Sequence, residues 1–116
     1  MAYVDGFVVP VPKKNLAKYK KAVLKAAKIW KEYGALQYVE CIADDVKVGK
    51  VTSFPQAVKL KKDEVVAFSW VVYKTRTHRN QIMKKIMNDP RLQDPDMMPF
   101  DGMRMIYGGF KPLNRI

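Results

Sequence analysis

One cysteine, one histidine and no long apolar run are what this chain lacks most visibly, and each shortage closes a line of explanation. Cys41 alone cannot build an internal disulfide framework or a cysteine zinc cluster. No stretch approaches the roughly 20 apolar residues of a membrane-spanning helix. Met1-Ala2-Tyr3 leads straight into strand-like sequence without the basic, apolar and small-residue pattern of a secretory signal, so the expected location is cytoplasmic, with no membrane partner. Acidic residues are scarce too, 11 against 22 lysines and arginines. The net charge of +11 raises the question of nucleic acid. Much of it sits in one segment, as Lys13, Lys14, Lys18, Lys20, Lys21, Lys25, Lys28 and Lys31. Lysines on an exposed helix are ordinarily a solvated face, which leaves nucleic acid the lesser expectation.

What is present is the balance of a folded chain, 48% apolar and 28% charged over 116 residues, enough for a single domain spanning 1–116. Tyr3 to Val11 is rich in Val and Phe, has no helical period and predicts a first strand. Asn15 offers a helix cap, and Leu16, Tyr19, Val23, Ala26, Ala27, Trp30 and Tyr33 then recur at helical spacing until Gly34. Leu36 to Ala43 reads as a second strand. Residues 44–64 form a long connection with a short helix announced by Ser53-Phe54-Pro55-Gln56. Val65 to Tyr73 is apolar on both faces, as in the middle of a sheet. A second long helix, capped by Thr75 or Thr77, carries Ile82, Met83, Ile86 and Met87 inward and stops before Pro90. A last strand is expected over Met103 to Lys111.

The order strand, helix, strand, strand, helix, strand is the ferredoxin-like βαββαβ plan, an α+β fold with a four-stranded antiparallel sheet. Two helices cover only one face of such a sheet. Because all four strands are apolar on both faces, the second face also needs cover, and a second copy of the chain is the expected partner. Val4-Asp5-Gly6-Phe7 is echoed by Phe100-Asp101-Gly102-Met103, which reads as shared turn chemistry on neighbouring strands.

Tyr3-Val4-Asp5-Gly6-Phe7-Val8-Val9-Pro10-Val11-Pro12, Val39-Glu40-Cys41, Phe68-Ser69-Trp70, Met87-Asn88-Asp89-Pro90-Arg91 and the run from Met98 to Phe110 together resemble the YbaA-like bacterial proteins, a domain family of unknown function. The resemblance covers essentially the whole chain. It implies a subunit of the dimeric α+β barrel superfamily, in which two sheets close around a central cavity, and it implies no reaction. Cofactor-free monooxygenases and haem-degrading enzymes share that barrel, but no residue set here matches either catalytic motif, and fold analogy is a weak guide to chemistry.

Sorting the strands by parity places Tyr3, Asp5, Phe7, Tyr38, Glu40, Ile42, Ser69, Tyr73, Met105 and Tyr107 on one face, which is assigned to the dimer cavity. The smoother face, with Val4, Gly6, Val8, Val39, Cys41, Phe68, Val72 and Ile106, is assigned to the helices. Asp5 and Glu40 become the candidate catalytic carboxylates, because burial beside an apolar space raises a carboxyl pKa toward proton-transfer range. Tyr3, Tyr38, Ser69, Met105 and Tyr107 are the candidate ligand-binding residues. The structural alternative makes Asp5 and Asp101 turn residues and pairs Glu40 with Arg104 or a lysine. No cofactor or metal is expected: His78 reads as a helix-start residue and Cys41 as an inert thiol without a base. The leading expectation is a homodimer binding an apolar or aromatic small molecule, with cofactor-free oxygenase or proton-transfer chemistry. The readings from other classes are a basic module for RNA or acidic partners and a dimer without chemistry.

Overall fold

A computed structural model describes residues 2–114, and its elements follow the order read from the sequence. Strand β1 (Tyr3–Pro12) leads through a 3₁₀ turn into helix α1 (Leu16–Glu32), then β2 (Gln37–Ile42), the short helix α2 (Phe54–Ala57), β3 (Glu64–Tyr73), helix α3 (Arg76–Met87) and β4 (Ile106–Phe110). The sheet is antiparallel in the order β2-β3-β1-β4, so the two longest strands lie at its centre. This is the ferredoxin-like arrangement.

Local chemistry accounts for most element ends. Thr75 accepts from the His78 backbone N–H and caps α3, while Ser53 accepts from Gln56 and caps α2. Gly34 takes a φ of 110°, the left-handed geometry that releases the chain from α1. Asn15 stands at the α1 cap position but does not cap it; its side-chain amide donates to the Pro99 carbonyl at 3.0 Å instead. The last strand is shorter than expected. Asp101 accepts from the Met103 N–H and from Arg104 Nε, which curls Gly102–Arg104 into a 3₁₀ turn, and pairing begins only at Ile106. Arg104 then reaches Glu64 at the head of β3 with two hydrogen bonds of 2.6 and 2.7 Å, fastening the turn to the sheet. Asp5, by contrast, lies inside β1, so its echo of Asp101 is not turn chemistry.

The face assignment is reversed. Val71 and Tyr73 pack with Ile29 of α1 and with Ile82 and Ile86 of α3, while Val9, Val11 and Ala67 pack with Tyr19. The helices therefore cover the face that carries Tyr3, Asp5, Phe7, Ser69 and Tyr73. The cause lies in pairing: the polar groups of that face are satisfied by side chains of the helices, so they do not need solvent.

The opposite face is partly roofed by the chain itself, because Val58 and Leu60, just after α2, pack on Val8, Val66 and Ala43. Elsewhere it is bare. Phe68 is 40% exposed, Ile106 44% and Phe110 61%. Phe54, Phe68 and Trp70 form an aromatic row with ring centroids 5.9 and 5.8 Å apart. Phe110 lies across the backbone of two paired glycines, 3.7 Å from a Cβ placed on Gly6 and 3.6 Å from one on Gly108.

Candidate functional site

Alternation along β1, β2 and β3 sends both candidate carboxylates under the helices. The register aligns Asp5 with Val71 and Tyr38, and Phe7 with Ser69 and Glu40. Glu40 therefore sits two strands across and two residues along from Asp5, about 12 Å between Cα atoms from sheet spacings. They cannot share a proton as a dyad. Each has its own surroundings.

Asp5 is buried in the middle of β1. Arg79, from the first turn of α3, brings Nε to 3.3 Å of Asp5 Oδ1, an ion pair whose angle does not make a hydrogen bond, and donates from Nη2 to the Tyr3 hydroxyl at 3.2 Å. Its guanidinium also lies 4.9 Å from the centre of the Tyr3 ring. The Tyr73 hydroxyl, near Asp5, donates to Met83 Sδ at 3.7 Å and accepts from the Trp30 indole N–H at 3.2 Å. Burial raises the Asp5 pKa, and the nearby Tyr73 hydroxyl and the Arg79 charge only partly oppose it. Gly109, opposite Asp5 on β4, lets Arg79 and Tyr3 lie against the strand: a Cβ there would overlap Arg79 Nη2 and the Tyr3 hydroxyl.

Glu40 is held by tyrosines rather than by Arg104 or a lysine. Tyr19 of α1 donates to Oε2 at 2.7 Å, Tyr38 donates to Oε1 at 3.1 Å, and Ser69 lies opposite on β3. Burial still raises the Glu40 pKa, with these hydrogen bonds pulling against it. The Tyr19 and Tyr38 hydroxyls are pushed well above the ordinary phenol value, first by burial and then by the neighbouring carboxylate. Trp30 joins the two halves, since its ring packs 5.5 Å from Tyr38 while its N–H serves Tyr73.

The structure thus brings Tyr3 to Asp5, and Tyr38 and Ser69 to Glu40, but all of them beneath the helices rather than between facing sheets. Met105 packs beside Val9 and Tyr19. Tyr107 is largely exposed and stacks on Phe7 with ring centroids 6.3 Å apart. Asp101 serves its turn.

The family described as protein of unknown function (DUF1428) matches residues 2–102. This chain belongs to that family. Uncharacterized proteins YbaA of Escherichia coli (strain K12) and of Shigella flexneri are each 50% identical over 114 residues, 97% of this chain and 97% of theirs. A solved structure described as a dimeric ferredoxin-like protein from an uncultured marine organism superposes with a TM-score of 0.65 at 11% identity, covering 99% of this chain and 98% of that one. That likeness concerns the fold.

Within this DUF1428 chain, sequence reasoning missed Arg79, Trp30 and Tyr19 as partners of the carboxylates. The signal for Arg79 was its spacing: it shares the inward stripe of Ile82, Met83 and Ile86. The helical period puts Tyr19 and Trp30 on the buried stripe of α1, but nothing in their spacing shows what their polar ends meet. Among the described residues no cluster of three His, Cys, Asp or Glu side chains forms a metal site, and no helix is long and apolar enough to cross a membrane.

Proposed function

We propose that the chain works as a cytoplasmic homodimer whose sheet faces turned away from α1 and α3 oppose one another and enclose an apolar space for a small apolar or aromatic molecule. The observation that carries this reading is the bare half of that face, where Phe68, Ile106 and Phe110 stand exposed on the side of the sheet away from α1 and α3. Apolar area left exposed costs about 25 cal/mol per Å² relative to burial, and a second copy offers a matching face about a two-fold axis. The fold neighbour is described as dimeric, which supports a homodimer. A groove of about 250 Å³ opens on this face, lined mainly by Cys41, Ile42, Val46, Phe54, Val66 and Phe68, with Asp44 the only charged residue at its wall. The unpaired, exposed Cys41 suits a reducing compartment.

Light scattering after size exclusion tests the assembly: the expected mass is twice the 13.4 kDa of one chain. Phe68→Asp with Ile106→Asp should give a monomer and abolish the fluorescence gain of N-phenylnaphthylamine. A wild-type monomer at micromolar concentration defeats the reading.

A second reading is favoured by the two raised carboxyls. Asp5 and Glu40 would then move protons for a bound ligand oriented by Tyr3, Tyr38 and Ser69, with Met105 and Tyr107 toward the C-terminal edge. Carbon-detected NMR titration of both carboxyls tests it, and values at or below those of ordinary carboxylates would remove the basis for proton transfer. Cofactor-free oxygenase chemistry rests on fold analogy alone.

A further inference from the structure

Every ion pair among the described residues is made by an arginine: Arg79 with Asp5, Arg91 with Glu32 and Asp89, Arg104 with Glu64 and Asp101. The lysines of residues 13–31 are all exposed and enter none of them. Helix α1 buries Tyr19, Ala22, Ala26 and Ile29. At 3.6 residues per turn, Lys18, Lys20, Lys21, Lys25, Lys28 and Lys31 then span an outward arc of about 160°. Ala17, Leu24 and Glu32 interrupt the arc, and Glu32, the one acid of the helix, is engaged by Arg91 at 2.9 Å. The tertiary fold extends the patch: the Lys13 N–H donates to the Asp63 carbonyl at 2.8 Å, which brings exposed Lys61 and Lys62 beside the start of α1. This surface lies behind the sheet, so pairing of the faces turned away from α1 and α3 leaves it open.

We propose that the outer face of α1 is a docking surface for the sugar-phosphate backbone of double-stranded DNA, bound without regard to sequence. Lysine ammonium groups act as point charges on phosphates, whereas planar, bidentate recognition calls for arginine. No aromatic side chain stands on the outer arc, so it has no platform on which to stack single-stranded bases. The apolar stripe of α1 is spent in the core, which denies the helix the buried face it would need to lie in a membrane surface. The major groove of B-form DNA, about 12 Å wide, admits a helix. The deep, narrow groove of duplex RNA does not. From Lys18 to Lys28 the face runs about 15 Å, along which a DNA duplex carries about nine phosphates on its two strands. Of the five lysines on that stretch, Lys18, Lys20, Lys21, Lys25 and Lys28, four can each meet one.

Fluorescence anisotropy of the full chain with two short DNA duplexes of unrelated sequence tests the proposal. Both duplexes should bind alike, and four phosphate contacts predict a fall of about 150-fold in affinity between 50 and 200 mM salt. Lys21→Glu, Lys25→Glu and Lys28→Glu together should abolish binding while leaving the melting temperature and oligomer size unchanged. Lys47→Glu, Lys50→Glu and Lys74→Glu, with the same change in net charge, should retain most of it. Equal loss in the two triple variants, no binding at low salt, or equally tight binding of duplex RNA, single-stranded DNA or phosphatidylglycerol vesicles overturns the assignment.

Discussion

Two adjacent glycines on β4 should respond oppositely to the same substitution. Gly109→Ala places a methyl group 2.7 Å from Tyr3 Cε2 and into overlap with the Tyr3 hydroxyl and Arg79 Nη2, both fixed by the Asp5 network. Tyr3 is 7% exposed and has little room to withdraw. Neither glycine has a positive φ, so alanine is compatible with the backbone and the effect is one of packing. Overpacking costs about 1–3 kcal/mol, of which the lower unfolded-chain entropy of alanine returns about 0.5–1. The net expectation for Gly109→Ala is a loss of about 1–2 kcal/mol, or roughly 4–8 °C in melting temperature for a domain of this size. Gly108→Ala meets only the Phe110 ring at an ordinary 3.6 Å and should be neutral or stabilising by up to about 1 kcal/mol. Urea and thermal melts of the two variants settle the matter. Gly109→Ala as stable as wild type, or less stable by no more than Gly108→Ala, would refute the crowding of Arg79 and Tyr3 on β4.

Ile82→Ala, at a side chain 1% exposed between sheet and α3, should cost about 2–5 kcal/mol in denaturant unfolding. Glu40 has a raised pKa when folded, so its ionisation weighs against the native state as pH climbs past 4.5 through that higher value. The stability of Glu40→Gln relative to wild type should accordingly improve from pH 4 to pH 7 in paired urea melts, and a flat difference would count against the burial effect. Asp89 is displaced the other way, held below its ordinary 3.8 chiefly by Arg91 and also by Tyr33. Its stabilisation is complete above about that pH and is lost as acid protonates the folded carboxyl, so Asp89→Asn should destabilise at pH 7 and lose its effect progressively below pH 4.

Periodicity made the elements legible. The 3.6-residue stripe of α1, the doubly apolar β3 and the caps at Ser53 and Thr75 all act locally, and local rules read them. The boundary at Met103 was misread because an alternating apolar run looks like a strand until the Asp101 side chain is seen to curl it. The choice of sheet face was lost for a different reason. A polar face looks solvent-facing or cavity-facing until its partners are known, and those partners lie far along the chain: Tyr19 is 21 residues from Glu40, Trp30 is 43 from Tyr73, and Arg79 is 76 from Tyr3. Only the folded register converts those separations into hydrogen bonds. Charge within a strand needs a partner, yet one strand's sequence does not say on which side of the sheet the partners of Asp5 and Glu40 stand.

Phe110 holds a position with consequences for shape. Beneath its ring the sheet has no side chains at all, only the backbone of Gly6 and Gly108. One residue near the end of β4 therefore acts as a removable tile over a trough two strands wide. Any member of the family that shortens this single side chain would deepen the space between paired sheets without moving a strand, whereas enlarging it elsewhere means rebuilding Phe68, Trp70 and their neighbours together. The size of whatever the face accommodates can drift by changes at one codon while the scaffold stays as it is.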